Sequence, residues 1–242
     1  MKKLSIIVPV FNEEKTVAEL LKKLFAVTMP VEQVEYVIVN DGSTDESATV
    51  IASVIHKLRG KKEVQFIQQE KNQGKGAAVI TGIKKATGDY VVIQDADLEY
   101  DPNDIVRIVQ PVLEGNAQVV YGTRLKRLPN FSRDERLNIL KVHYLGNKFL
   151  SLVTSVLYFH WLTDMECCYK LFPKNALEGI TLHARGFEFE PEITAKLLKK
   201  KYKIAEVPIS TTPRGYDEGK KLNTVKDGSK ALWNLLKYRF VD

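Results

Sequence analysis

The first half of the chain alternates short, uniformly apolar runs with stretches whose apolar residues recur at helical spacing. Leu4–Val8, Tyr36–Asn40, Val64–Gln68, Tyr90–Gln94 and Ala117–Tyr121 are predicted strands. Between them, Glu13–Val27 places Val17, Leu20, Leu21 and Leu24 on one helical face, and helices are predicted over Asp45–His56 and Gly74–Ala86. Strands that are apolar on both faces need cover on both faces, which a parallel sheet flanked by helices supplies. The pattern predicts an α/β fold with a Rossmann-like, doubly wound, mostly parallel sheet.

The second half reads differently. From Arg133 to Phe159 the spacing predicts one long helix or two joined helices, with aromatic and aliphatic residues over much of the surface. Glu190-Pro191-Glu192 opens another helix, since proline suits a first turn and carboxylates suit the positive end of the helix dipole. Ile204–Val207 is a predicted strand stopped by Pro208, residues 210–222 a loop rich in Gly, Lys and Arg, and Val225–Tyr238 a closing amphipathic helix. With no internal repeat or long linker, residues 1–242 are expected to form one domain with two halves, 1–122 and 123–242.

Composition narrows the class of protein. A chain of 242 residues, 44% hydrophobic and 27% charged, can bury a sizeable core and is not of disordered composition. Residues 191–242 hold twelve Lys/Arg against six Asp/Glu, which accounts for the whole net charge of +6. A second basic run spans Arg124, Lys126, Arg127, Arg133, Arg136, Lys141 and Lys148. Such surfaces suit nucleic acid, anionic lipid or phosphorylated substrates, or are simply solvated. The two cysteines, Cys167 and Cys168, are adjacent, so they form no disulfide framework and are expected to be small buried residues in a reducing compartment. Met1–Phe11 is too short an apolar run for a signal peptide, and Phe149–Leu162 falls short of the ~20 residues that span a bilayer.

The candidate chemistry lies just beyond the predicted strands. Gln94-Asp95-Ala96-Asp97-Leu98-Glu99 follows the fourth strand, and in an extended chain Asp95, Asp97 and Glu99 share one side. Carboxylates so close repel unless a cation lies between them, and Mg²⁺ or Mn²⁺ takes oxygen ligands while leaving positions for phosphate oxygens. The other reading is a solvated acidic turn with Asp97 capping a helix. In Asn40-Asp41-Gly42-Ser43-Thr44-Asp45, Asp41 at a strand end can accept hydrogen bonds from a base or ribose, while turn and cap chemistry explains the glycine and Ser43–Asp45. Pro9-Val10-Phe11-Asn12-Glu13-Glu14 sets an aromatic ring and carboxylates at the same sheet edge. Asn72–Ala78 lacks the full phosphate-loop spacing, so its small residues are expected to let the helix approach a neighbouring strand. His56, His143, His160 and His183 fit no motif.

In this order, IIVPVFNEE, VNDGSTD, NQGKGAA and QDADLEYDP resemble the family 2 glycosyltransferases of GT-A fold. YGTR at 121–124, TDMECCYKLF at 163–172, GFEFEPEI at 186–193 and EVPISTTPRGYDEGKK at 206–221 are similar to the polyprenol-phosphate branch, the dolichol-phosphate mannose synthases and their bacterial relatives. The resemblance covers nearly the whole chain. It implies a nucleotide-sugar-binding first half and an acceptor-binding, membrane-facing helical second half. Pro9, Phe11, Glu13, Val39, Asp41 and Ala96 are implied to line the nucleotide-sugar pocket. Asp95, Asp97 and Glu99 are implied to bind the metal and diphosphate, although mannose synthases commonly have Gln where Glu99 stands. Arg124, Lys170, Arg214 and Lys220 or Lys221 match cationic positions facing donor or acceptor phosphates. A further arginine, Arg133 or Arg136, is expected beside the acceptor phosphate.

The resemblance also implies an inverting, Mg²⁺- or Mn²⁺-dependent transfer from a GDP- or UDP-sugar to a polyprenyl phosphate, with Asp95, Asp97 and Arg124 as catalytic residues. The protein is then expected at the cytoplasmic face of a membrane, in peripheral contact, with no nucleic-acid partner. Lys141–Trp161 is one candidate for that contact, and packing into the core or against a second copy is the other. One alternative keeps the fold with a saccharide hydroxyl as acceptor and Asp164 as base. Another class of reading is a non-catalytic nucleotide-binding membrane adaptor.

Overall fold

The computed structural model describes residues 1–58, 60, 62–124, 137–212 and 224–241, without the side chains of 137–143 and 224–226. One seven-stranded sheet organises the chain. The elements are β1 (Lys3–Val10), α1 (Val17–Ala26), β2 (Gln33–Asn40), α2 (Ser47–Leu58), β3 (Glu63–Gln68), α3 (Lys75–Lys85), β4 (Tyr90–Ile93), α4 (Asp104–Leu113), β5 (Val119–Thr123), α5 (Leu137–Tyr158), β6 (Lys170–Pro173), a 3₁₀ turn at Lys174–Leu177, α6 (Phe189–Lys199), β7 (Ile204–Pro208) and α7 (Thr224–Phe240). Strand order across the sheet is β3-β2-β1-β4-β6-β5-β7.

All neighbouring strands pair in parallel except β6, which runs against both β4 and β5. The fold is therefore α/β with a mostly parallel sheet, as the apolar runs predict. Ile6, Ile7, Val8, Val37, Ile38, Val39, Val91, Val92 and Ile93 are all fully buried, which is why these runs show no alternation of polar and apolar residues. Since the chain winds outward in both directions from β1, with β2 on one side and β4 on the other, a crevice opens there at the carboxyl ends of the strands. The reversed strand puts its amino end, Lys170, beside Tyr121 near the carboxyl end of β5.

Three elements differ from the pattern reading. The apolar spacing starts α1 at Glu13, yet Glu13–Thr16 forms a turn and the helix starts at Val17. Asn12 stands in the left-handed region (φ 49°), and the Ser47 hydroxyl holds the Glu13 N–H at 2.8 Å, so both residues serve the loop. The helix α4 and the four-residue strand β6 have no counterpart in the pattern; Pro111 interrupts the helical signal of the first, and a lysine opens the second. The long helix is one element, α5, whose predicted beginning at 133–136 lies outside the described residues.

At the opposite end of the sheet, buried Glu35 binds the chain together. Its carboxylate accepts hydrogen bonds from the Ser5 hydroxyl, the Thr87 N–H and hydroxyl (2.7 Å for the latter) and the Gly88 N–H (3.1 Å). Burial alone pushes this carboxyl up, but the hydrogen bonds and nearby Lys3 hold it below the usual glutamate range.

Helix α5 presents two faces. Leu150, Ser151, Thr154 and Ser155 are buried, whereas Leu145, Phe149, Leu152 and Val156 form an exposed stripe that continues into Phe159 and Trp161. Helix α7 packs against α5 and exposes Trp233, Leu236 and Phe240. The same segment thus contributes both to the core and to an open apolar surface. No described helix is long and apolar enough to cross a membrane.

Candidate functional site

The loops that follow β1, β2, β4 and β5 all leave from the same end of the sheet. Pro9 and Val39 pair directly in the β1–β2 register, and both are buried at the crevice floor. Beyond them, the β1 and β2 loops clasp each other. The Ser43 hydroxyl accepts from the Asn12 N–H at 2.9 Å, and the Asn12 side-chain carbonyl accepts from the Thr44 N–H at 2.8 Å. The buried Glu13 carboxylate accepts from the Thr16 hydroxyl at 2.7 Å. Phe11, half-buried, sits at the head of this clasp.

Asp41 is almost wholly buried and directs its oxygens at the next loop. It accepts from the N–H groups of Gln73 (2.9 Å) and Gly74 (2.8 Å). Burial raises this carboxyl, with the two backbone hydrogen bonds opposing. The sequence suggests a base or ribose for Asp41; the structure places it first as the anchor of the loop leading into α3. That loop has glycines for a reason other than the one expected. A Cβ at Gly74 would fall 2.3 Å from the Arg185 carbonyl oxygen, and one at Gly76 would fall 2.7 Å from that of Gly186. These small residues let α3 approach the loop before α6, not a strand; the close approach to a strand occurs further on, where Gly82 lies against Ile7.

Lys75 heads α3 and reaches the acidic segment. Its ammonium pairs with both oxygens of Asp95, at 2.8 and 2.9 Å, and lies 3.7 Å from Glu190 Oε1. Burial would lower this lysine, but the charges of Asp95 and Glu190 raise it well above its usual value. The backbone on either side of Asp95 is fixed. Gln94 donates to the Asp95 carbonyl at 3.0 Å and accepts from the Tyr169 hydroxyl at 2.5 Å. Ala96 is buried, and Asp97 turns the chain by accepting from the Glu99 N–H at 3.0 Å, with Leu98 in the left-handed region (φ 63°).

Among the described residues, no three carboxylate, imidazole or thiol groups form a ready-made cation cage, so Asp95, Asp97 and Glu99 do not converge as one cluster. The donor set nevertheless suits a hard cation. Mg²⁺ is usually held by one or two carboxylates with the remaining positions filled by water and substrate phosphate. Asp95, partly exposed and already engaged by one cation, is a carboxylate of that kind.

Arg124 follows β5 and is held by a fork. Its Nε and Nη2 donate to the two oxygens of Asp164 at 2.8 Å each, its own N–H donates to Asp164 Oδ2, and its Nη1 donates to the Tyr100 hydroxyl at 3.0 Å. Asp164 is fully buried. Burial pushes its carboxyl up, but the Arg124 charge and hydrogen bonds outweigh it and hold it below the normal range. The loop carrying Asp164 is fixed in turn by Glu206 of β7, which accepts from the Thr163 and Asp164 N–H groups at 2.9 and 3.0 Å. Asp164 is therefore the support of Arg124; as an open general base it is poorly placed.

Lys170 is placed inside the protein. Its ammonium is fully buried, pairs with Glu190 Oε2 at 2.7 Å, donates to the Met165 carbonyl at 2.8 Å and to the Cys167 carbonyl, and lies over the Tyr121 ring at 4.6 Å. Among the described residues, its ion pair toward the site is with Glu190. Nearby, burial and the charge of Glu190 push the Glu166 carboxyl up to about 7, and its buried Oε1 has no hydrogen-bond partner. Cys167 and Cys168 are free and buried, as expected, and burial pushes the Cys167 thiol up to about 12. Arg133, Arg136, Arg214, Lys220 and Lys221 lie outside the described residues.

Sequence reasoning assigns no part in the site to Lys75, Glu166, Gln94, Tyr169 or Glu206, and reads Glu190 only as a first-turn carboxylate of its helix. Lys75 carries a signal, as the charged residue between two glycines, but its partners Asp95 and Glu190 are distant along the chain. Of the histidines, His160 hydrogen-bonds the backbone of Ile204 and is structural.

Comparison with known proteins identifies the fold and the family. Residues 5–180 match the model of glycosyl transferase family 2. A UDP-N-acetylglucosamine–dolichyl-phosphate N-acetylglucosaminyltransferase of Methanococcus voltae is 30% identical over 97% of this chain and 95% of its own. An uncharacterized protein of Methanocaldococcus jannaschii is 28% identical over 98% of this chain and 99% of its own. The crystal structure of glucosyl-3-phosphoglycerate synthase from Mycobacterium tuberculosis with Mn²⁺, UDP and glucosyl-3-phosphoglycerate superposes with a TM-score of 0.67 at 19% identity, covering 100% of this chain and 81% of that one. The same synthase with Mg²⁺ and UDP gives 0.66 at 19% identity, covering 100% and 80%. The fold is thus that of the GT-A glycosyltransferases, and the chain belongs to glycosyl transferase family 2.

Proposed function

We propose that this glycosyltransferase moves a sugar from a UDP- or GDP-sugar to a polyprenyl phosphate at a membrane surface, with inversion and with the aid of Mg²⁺ or Mn²⁺. The observation that carries the reading is the pairing of an acidic turn, Asp95–Asp97, with an arginine, Arg124, that Asp164 holds in fixed orientation at the same end of the sheet. The Methanococcus voltae relative, named for transfer to dolichyl phosphate, supports the lipid acceptor and a UDP-linked donor.

Asp95 and Asp97 would hold the divalent ion. When bound, it supplies Lewis-acid stabilisation of the departing diphosphate. Phe11 and the clasped β1 and β2 loops would receive the nucleotide. Breaking the bond between the anomeric carbon and the β-phosphate oxygen leaves the electron pair on the diphosphate. An acceptor phosphate oxygen forms the new bond from the opposite face. A phosphate monoester is largely ionised near neutral pH, so it needs positioning and charge neutralisation more than a base. Arg124, always protonated and held by its fork, suits that role. Arg136, Arg214 and Lys220 are proposed to add to it. Lys170 would act indirectly, by holding Glu190.

The exposed stripe of α5 and α7, rich in Phe and Trp, supports peripheral contact with the bilayer in which a polyprenyl tail resides. Reaction at the cytoplasmic face fits the free cysteines.

One observation favours a second reading. Glu166, whose buried Oε1 has no hydrogen-bond partner and whose carboxyl is pushed up by burial to about 7, is the candidate general base for a saccharide hydroxyl. A single experiment separates the two. The protein is incubated with Mn²⁺ and labelled UDP- and GDP-sugars, with either undecaprenyl or dolichyl phosphate in vesicles or a panel of saccharides. Label entering the lipid phase, with Glu166→Gln retaining that transfer, is the expected result. Label found only in saccharides would overturn the lipid reading.

A further inference from the structure

We infer that Lys75 is a resident counter-ion that occupies Asp95 until a divalent cation arrives together with a diphosphate, and that Glu190 is its second berth. The inference rests on the donor-site reading above and concerns what makes that site selective for a metal–nucleotide complex over the free metal.

The geometry has three parts. First, the Lys75 ammonium sits at 2.8 and 2.9 Å from the two Asp95 oxygens, so an arriving cation must share that carboxylate with the ammonium or displace it. Second, an alternative acceptor is within a short swing. Glu190 Oε1 lies 3.7 Å from the same ammonium, is buried, and has no hydrogen-bond partner, while its Oε2 is held by Lys170 at 2.7 Å. Third, the far end of the side chain alone needs to move. Lys75 begins α3, whose start is fixed by Asp41 on Gly74 and by the Ala77 N–H on the Arg185 carbonyl, and its ammonium lies 5.8 Å from the centre of the Phe187 ring.

Charge then decides the outcome. A bare divalent cation must displace an ammonium from a partly buried carboxylate and then sit beside that ammonium, since Glu190 is only a few ångströms further away. A cation arriving on a diphosphate brings the negative charge that offsets this repulsion. Lys75 is accordingly a positioning residue that couples metal and nucleotide, so that each strengthens the other's binding.

The test measures Mn²⁺ uptake by the loss of the free-ion paramagnetic resonance signal, with and without UDP. Wild type is expected to bind Mn²⁺ weakly alone and far more tightly with UDP. Lys75→Met keeps the stem and removes the charge; it should bind Mn²⁺ alone at least ~10-fold more tightly, with reduced coupling to UDP. Lys75→Arg should retain the wild-type weakness, which separates charge from packing. Glu190→Gln removes the second berth and should weaken Mn²⁺–UDP uptake. Melting curves identify any variant that is not folded, and Lys75→Arg then stands with Glu190→Gln as the remaining pair. If wild type binds Mn²⁺ with UDP while Lys75→Met binds Mn²⁺ alone no more tightly than wild type, the Lys75 inference fails by itself. If wild type takes up Mn²⁺ in neither state, the metal-site reading falls and takes this inference with it.

Discussion

Arg124→Ala is expected to lower kcat/KM for sugar transfer by ~10²–10³-fold, the loss typical of removing one preorganised charge-stabilising donor. The expectation rests on placement. Arg124 stands at the carboxyl end of β5, two of its nitrogens are locked on Asp164, and Tyr100 accepts from a third, so its orientation is settled before any substrate arrives. Arg124→Lys retains the charge without the planar fork and should recover only part of the loss. Initial rates at varied acceptor concentration provide the check. A change smaller than about threefold in Arg124→Ala would mean that this residue faces neither phosphate.

The second large effect is on stability. Asp164→Ala removes the fully buried partner of the Arg124 guanidinium, and breaking one side of a buried ion pair costs about 3–5 kcal/mol. Urea denaturation of the two proteins at neutral pH measures it. The pH dependence has a definite sign. The Asp164 carboxyl is held below the usual range by Arg124, so its contribution is fully present above the unfolded value of about 3.9. That contribution is lost as pH falls through the folded value, and the gap between wild type and Asp164→Ala should close only in acid below about pH 4. A gap that is small at pH 7, or that widens on acidification, would contradict the pairing. Asp164→Asn offers a further distinction. Its activity should fall alongside that of Arg124→Ala with no change in the pH profile if Asp164 acts through the arginine, whereas a lost basic limb would assign it the role of base.

Much of this architecture can be read from the chain alone where the signal is local. The uniformly apolar runs that form β1, β2 and β4 are buried on both faces, so their pattern carries its own explanation. Asp95 and Asp97 stand out because they are neighbours just past a strand. The features that escape such a reading are those made by distant partners. Arg124 and Asp164 are 40 residues apart, and Lys75 and Asp95 are 20 apart. Nothing about Glu190 in its helical turn announces that it will balance two lysines from different elements. The strand β6 escapes because its four residues begin with Lys170, whose charge reads as surface although the fold buries it completely. Asp41 shows the reverse case: its place at a strand end is legible, but its hydrogen bonds to Gln73 and Gly74 depend on a loop 32 and 33 residues onward.

On the proposed reading, the carboxylates following β4 grip a divalent ion, and this ion holds the donor's diphosphate. That reading is tested most directly by thermal melting with UDP- or GDP-sugars in the presence and absence of Mn²⁺, for wild type and Asp97→Ala. Ligand at about a hundred times its dissociation constant stabilises the native state by ~2.7 kcal/mol, enough to move the melting point by several degrees. The account predicts that wild type gains this stabilisation only when Mn²⁺ and the nucleotide-sugar are present together, and that Asp97→Ala loses the metal-dependent part. An undiminished Mn²⁺-dependent shift in Asp97→Ala, or a full shift of wild type without metal, would contradict it.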